Sequence, residues 1–87
     1  MFIQGFEWDS ANRDHVARHA VDSEEAEQAC LAARRILRGR NHRYVAYGRT
    51  DSGRYLMVVY IRKMGAVLRV ITARDMDERE KRWTKNL

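Results

Sequence analysis

The groups in this chain that could move protons or hold phosphate are three histidines, four tyrosines and seventeen lysines and arginines. Together they could cleave RNA without a metal. That reaction needs a base for the 2′-hydroxyl, cations for the crowded phosphate and an acid for the leaving 5′-oxygen. His15 and His19 are four residues apart, a spacing that puts both on one helix face. They are candidates for proton transfer, against the plainer reading that they pack at a helix–sheet boundary. Val16 stands where a His-Glu-x-x-His zinc motif needs glutamate, and no cysteine or carboxylate cluster completes a zinc site, so no metal or other cofactor is expected.

Arg74 follows a β-branched run and precedes a helix start, and Arg49 closes an earlier strand-like run. Both are candidates to grip a phosphate through a two-pronged guanidinium. The plainer reading of Arg74 is an ion pair with Asp75, Asp77 or Glu78. Arg69 lies in mid-strand, where burial demands a partner, so it is either an RNA contact or a salt bridge. Tyr60 is a substitute proton donor, Tyr47 and Trp8 could stack on bases, and Arg40 lies in a basic turn that could add affinity. Tyrosines in strands more often pack across the sheet, and a tryptophan beside a helix start more often anchors a core. Cys30 falls on a small-residue apolar stripe and reads as inert core.

The charge is unevenly spread. Residues 1–33 hold two basic residues against seven acidic ones, whereas residues 34–74 hold eleven basic residues against Asp51 alone. Such a block attracts polyanions. Its arginines alternate with all four tyrosines and with apolar runs, which suggests a folded surface rather than a disordered tail.

The elements that must position these groups can be read from pattern. Phe2 to Trp8 reads as a short strand or extended segment. A first helix is expected from Ser10 to about His19. Asp22 and Glu25 form a capping-box signal, followed by Ala26, Ala29, Cys30 and Ala33 at helical spacing. Strands are expected at Arg43–Arg49, Tyr55–Ile61 and Val67–Ala73, joined by connections short enough to force antiparallel pairing. Arg35 to Arg38 is ambiguous and could add one more strand. Asp75-x-x-Glu78 predicts the start of a last helix running to about Thr84. Strict alternation in the third strand would put Arg74 on one face with Leu68 and Val70, and Arg69 on the other. The expected class is α+β, an antiparallel sheet of three to four strands with two N-terminal helices and one C-terminal helix. The helices cover one face and the other is partly open.

At 87 residues the chain is expected to be a single domain over 1–87 with a modest core. One cysteine excludes an intrachain disulfide, and no apolar run reaches the roughly 20 residues of a membrane helix. A reduced, cytoplasmic protein with no membrane partner is the expectation.

The order of short motifs resembles the BrnT-type toxins. Phe6-Glu7-Trp8-Asp9, Asn12, His15-Val16-Ala17-Arg18-His19 and Glu24-Glu25-Ala26 carry the likeness in the first half. Tyr47-Gly48-Arg49-Thr50, Gly53-Arg54, Val58-Val59-Tyr60, Val70-Ile71-Thr72-Ala73-Arg74 and Glu78-Arg79-Glu80 carry it in the second. The resemblance implies a RelE-like fold and a bacterial or archaeal endoribonuclease of a type II toxin–antitoxin system. It also implies RNA as substrate, inhibition of translation and growth, and a ribbon-helix-helix antitoxin that neutralises the toxin. Ala20 departs from the pattern, standing where a helix-ending glycine is common. The alternative is a non-catalytic module, or degenerate toxin, that binds nucleic acid or a partner through the same basic sheet. An antitoxin segment or a second copy forming a homodimer is expected to cover the open sheet face.

Overall fold

A computed structural model describes residues 3–86; Phe2 lies outside the described residues. Three capping boxes set the helices. Asp9, Asp22 and Asp77 each accept the backbone N–H three residues on, and Asn12, Glu25 and Glu80 accept the cap's own N–H in return. They start α1 (Ser10–Ala17), α2 (Ser23–Leu31) and α3 (Glu78–Lys85). The last helix therefore begins two residues later than Asp75-x-x-Glu78 predicted. Asp75 still belongs to a strand, and its carboxylate is taken by Arg54.

α1 ends at Ala17, short of His19. The chain leaves it through Ala20 at φ 56°, with Val21 N–H donating to Val16 O and Ala20 N–H to Ala17 O. This is a Schellman end with alanine in the left-handed position. The structure compensates for the missing glycine with a cation. The Arg54 guanidinium donates to the carbonyls of Ala20 (2.6 Å) and His19 (3.2 Å), at the negative end of α1.

The strands are β1 (Gly5–Glu7), β2 (Ala33–Arg38), β3 (Arg43–Arg49), β4 (Tyr55–Lys63) and β5 (Val67–Asp75). They form one sheet in the order β1-β5-β4-β3-β2, antiparallel except that β1 runs parallel to β5. The α+β class stands, but the sheet has five strands and is mixed. The ambiguous Arg35–Arg38 run is an edge strand, closed onto β3 by a turn with Asn41 and His42 both left-handed (φ 57° and 59°).

α1 and α2 cover one face. Val16, Val21, Ala26, Ala29 and Cys30 pack there against Ala46, Leu56, Val58, Tyr60, Leu68, Val70 and Ala73. Gly48 allows the contact, because a Cβ at that position would collide with the Ala29 carbonyl. α3 crosses to the opposite face at one end of the sheet. Its Trp83 meets Tyr47 edge-on, ring centroids 4.9 Å apart.

A β-bulge in β5 decides which side chains share that second face. Tyr60 pairs with Val70, but Val59 pairs with Thr72, leaving Ile71 as the extra residue. Alternation resets there. Leu68, Val70 and Ala73 all point into the core, and Arg69, Thr72 and Arg74 all point to the other face, opposite Ile61, Val59 and Met57. Strict alternation had put the two arginines on opposite faces; the bulge puts them together.

Candidate nucleic-acid interface

Three arginines on or beside β5 are ion-paired, and counting their five N–H donors separates them. Arg54 uses all five. Nε and Nη2 reach Asp75, Nη1 reaches Glu25 and the Ala20 carbonyl, and Nη2 also reaches the His19 carbonyl. Arg74 uses three. Nη1 donates to Glu80 (2.8 Å) and to the Asp75 carbonyl (2.9 Å), and Nη2 donates to Glu80 (3.0 Å). Its second fork, Nε with the other Nη2 hydrogen, has no protein acceptor among the described residues. Arg69 has the same arrangement, with Nη1 on Glu7 and Asp9 and Nη2 on Asp9.

Glu80 thus takes one side of the Arg74 guanidinium and leaves the phosphate-matching side free. Its own carboxyl is held below the usual range by Arg74, with the Asp77 N–H adding to the effect. Asp9 and Asp75 are lowered in the same way by Arg69 and Arg54. Tyr47 stands beside the Arg74–Glu80 pair, and its pKa is raised, first by burial and then by the Glu80 charge.

Lys63 and Lys81 are also paired, with Glu7 and Glu78, but much of the arginine charge is not. Arg34, Arg38, Arg40, Arg43, Arg49 and Arg62 are exposed, and among the described residues none has a carboxylate within 4.0 Å. Five of them lie on the β2–β3 hairpin. Arg49 and Arg43 share the α3 face with Tyr47, because they alternate with it along β3. Arg49 lies over the Tyr55 ring (5.1 Å), and Lys85 lies 5.1 Å from the same ring. The Arg49–Tyr55 row is next to the row that contains Tyr47, Met57 and Arg74.

The histidines border β5 from the α1 side. His15 is exposed and lines a cleft of 160 Å³ with Ala11, Asn12, Arg69, Val70 and Ile71, at the bulge. His19 lies past the end of α1, so the two do not share a helix face as their spacing suggested. Arg54 nonetheless ties its carbonyl to Asp75, the residue after Arg74.

Two candidates stand elsewhere. Tyr60 is on the core face, 1% exposed, stacked on Tyr44 and raised to about 12 by burial. It cannot reach a phosphate held by Arg49 or Arg74, because it projects from the opposite side of the sheet. Trp8 packs on the core with its Nε1–H on Glu27 (2.7 Å) and Arg13 over its ring, so its faces are already engaged. Arg40 occupies the exposed β2–β3 turn. Cys30 is buried in the core with its thiol pushed up to about 12, first by burial.

Pattern reasoning gave no role to Glu80, Lys85, Tyr55 or Asn12, although Asn12 and Glu80 stand among the residues of the resemblance. Asp77-x-x-Glu80 was a legible signal, masked by the identical spacing two residues earlier. Asn12 is buried, with its amide donating to the Glu7 and Val70 carbonyls at 3.0 Å each. It locks α1 to β1 and to β5 beside the bulge, a role that depends on contacts distant in sequence.

Fold and site together define a small α+β domain that presents a cationic, partly open sheet face. The family model for the ribonuclease toxin BrnT of type II toxin–antitoxin systems matches residues 8–80, and the chain belongs to that family. The crystal structure of the Brucella abortus ribonuclease toxin BrnT is similar in fold, with a TM-score of 0.71 and 21% identity over 85% of this chain and 97% of that one. Among curated proteins, none matches in sequence. No helix among the described residues is long and apolar enough to cross a membrane.

Proposed function

We propose that this toxin is a cytoplasmic, metal-independent endoribonuclease that slows translation and growth, and that a ribbon-helix-helix antitoxin neutralises it. The observation that carries the reading is the free guanidinium fork of Arg74, aimed by Glu80 on a face where Arg43 and Arg49 have no carboxylate partner among the described residues. A phosphodiester oxygen pair fits that fork. Arg49 and Arg69 hold the flanking chain, and Tyr47 offers a ring for a base. His15, in the cleft beside Arg69, is the proton-transfer group, with His19 second. The histidine takes the proton of the 2′-hydroxyl as that oxygen bonds to phosphorus to form a 2′,3′-cyclic phosphate; the bond to the 5′-oxygen breaks, and the protonated histidine returns the proton to that oxygen as it leaves. In this mechanism the arginines supply the cationic stabilisation of the crowded phosphate.

The test is RNA cleavage in EDTA by wild type, Arg74→Ala, Arg74→Lys and His15→Ala/His19→Ala. Loss of one preorganised cation costs about 10²–10³ in rate. Arg74→Lys keeps the charge but not the fork, so it recovers little. A strict metal requirement, or full activity of Arg74→Ala with native circular dichroism, would overturn the assignment. Salt-sensitive RNA binding with no cleavage by wild type would point to the non-catalytic module.

A further inference from the structure

β2 ends the sheet, so its outward backbone groups have no strand partner among the described residues. Exposed edges of this kind template the addition of another strand. Three large apolar side chains are exposed on or next to it: Leu31 (65%), Ile36 (46%) and Leu37 (46%). Beside it, on the α1–α2 side of the sheet, a groove of 210 Å³ is lined by the apolar residues Ile3, Cys30, Leu31, Ala33 and Ile36, with polar atoms also on its surface. A cavity of about 150 Å³ already holds a benzene ring, so this groove has room for a phenylalanine-sized side chain. Arg34 and Arg38 are exposed along the same edge, without a carboxylate partner among the described residues.

The charge decides what can dock. No acidic residue occurs between Glu27 and Asp51. A second copy pairing through β2 would set Arg34, Arg35 and Arg38 against their own counterparts, with no acid to offset them, and like charges across a strand pair are destabilising. The groove also lies around the edge from the Arg74 face: Ile36 pairs with Ala46 and Arg38 with Tyr44, both on the core side of β3.

We propose that the β2 edge binds an extended acidic segment of a partner protein by strand addition, with one large apolar side chain seated in the groove. Backbone pairing supplies affinity, while the groove and Arg34 and Arg38 supply selectivity. The proposal stands apart from the ribonuclease reading, since it uses the other side of the sheet.

The probe is a synthetic peptide alternating glutamate with valine around one phenylalanine, compared with its lysine counterpart. Binding is read by fluorescence anisotropy and by amide exchange of the full chain. The glutamate peptide is expected to bind and to protect the amides of residues 33–38. Ile36→Glu and Arg38→Glu, both at exposed positions, each weaken it about tenfold or more, and Ile36→Glu, which removes no positive charge, leaves RNA cleavage unchanged. The proposal fails if the glutamate peptide does not bind, if the lysine peptide binds as well, or if neither substitution matters. It also fails if protection falls on β5. Concentration-dependent protection of β2 without peptide would make a second copy the occupant, and protection by an RNA oligonucleotide would make the edge part of the RNA interface; either overturns it.

Discussion

Arg54 and Arg74 are both paired arginines at one end of the sheet, yet their chemistry differs. Arg54 has no donor left and joins α2, β5 and the end of α1. Arg74 keeps a free fork. Removing Arg54 strands two carboxylates and two carbonyls, so Arg54→Ala is expected to lose about 2 kcal/mol in urea unfolding with RNA affinity unchanged. Arg74→Ala should do the reverse, since the 62%-exposed Asp75 carboxylate stays with Arg54 and only Glu80 loses an ion-pair partner. Equal destabilisation by the two would refute this division. Sequence pattern picked out Arg74 and Arg49 because strand ends announce themselves. It could not tell a saturated arginine from one with donors to spare, since that depends on carboxylates and carbonyls far along the chain.

At the scale of elements, the end of α1 carries a visible strain. Ala20 adopts a left-handed conformation that costs an alanine about 1–2 kcal/mol and a glycine nothing of that kind. Ala20→Gly should therefore raise stability by about 1 kcal/mol, offset in part by the freer unfolded chain. The check is the thermal midpoint beside wild type; an unchanged or lower value would mean Arg54 already relieves the strain. The departure from glycine was plain in the sequence, but its remedy was not, because Arg54 lies 34 residues away. The helix starts were more legible, since a capping box is local. Even so, Asp75 and Asp77 offered the same spacing, and only the extent of β5 chose between them.

At the scale of the molecule, charge governs behaviour with salt and pH. RNA affinity should fall steeply with salt, by a log–log slope of about 0.7 per phosphate neutralised on a single strand. Arg43→Ala and Arg49→Ala should each lower the slope by about that amount; an unaltered slope would remove them from the interface. Acid acts on the ion pairs. Asp9, Asp75 and Glu80 have folded pKa values below the usual range. Each contributes stability that is fully present above the unfolded carboxylate pKa of about 4 and is lost as pH falls through the depressed folded value. Urea midpoints measured from pH 6 down to pH 2 should decline in that window, and a flat profile would contradict the pairing.

The α+β class, the helix caps, the three long strands and the basic block were all written in local pattern, because capping, alternation and charge density act over a few residues. Placement of the site was not. Whether Arg69 joins Arg74 turns on one unpaired residue, Ile71, and a bulge is a mismatch between two strands that neither strand encodes alone. Tyr60 reads in sequence like Tyr47, yet their opposite register positions put one under the helices and the other beside Arg74. Face assignment, donor saturation and the parallel docking of β1 on β5 arise from contacts between distant segments, so they exist only once the sheet is assembled.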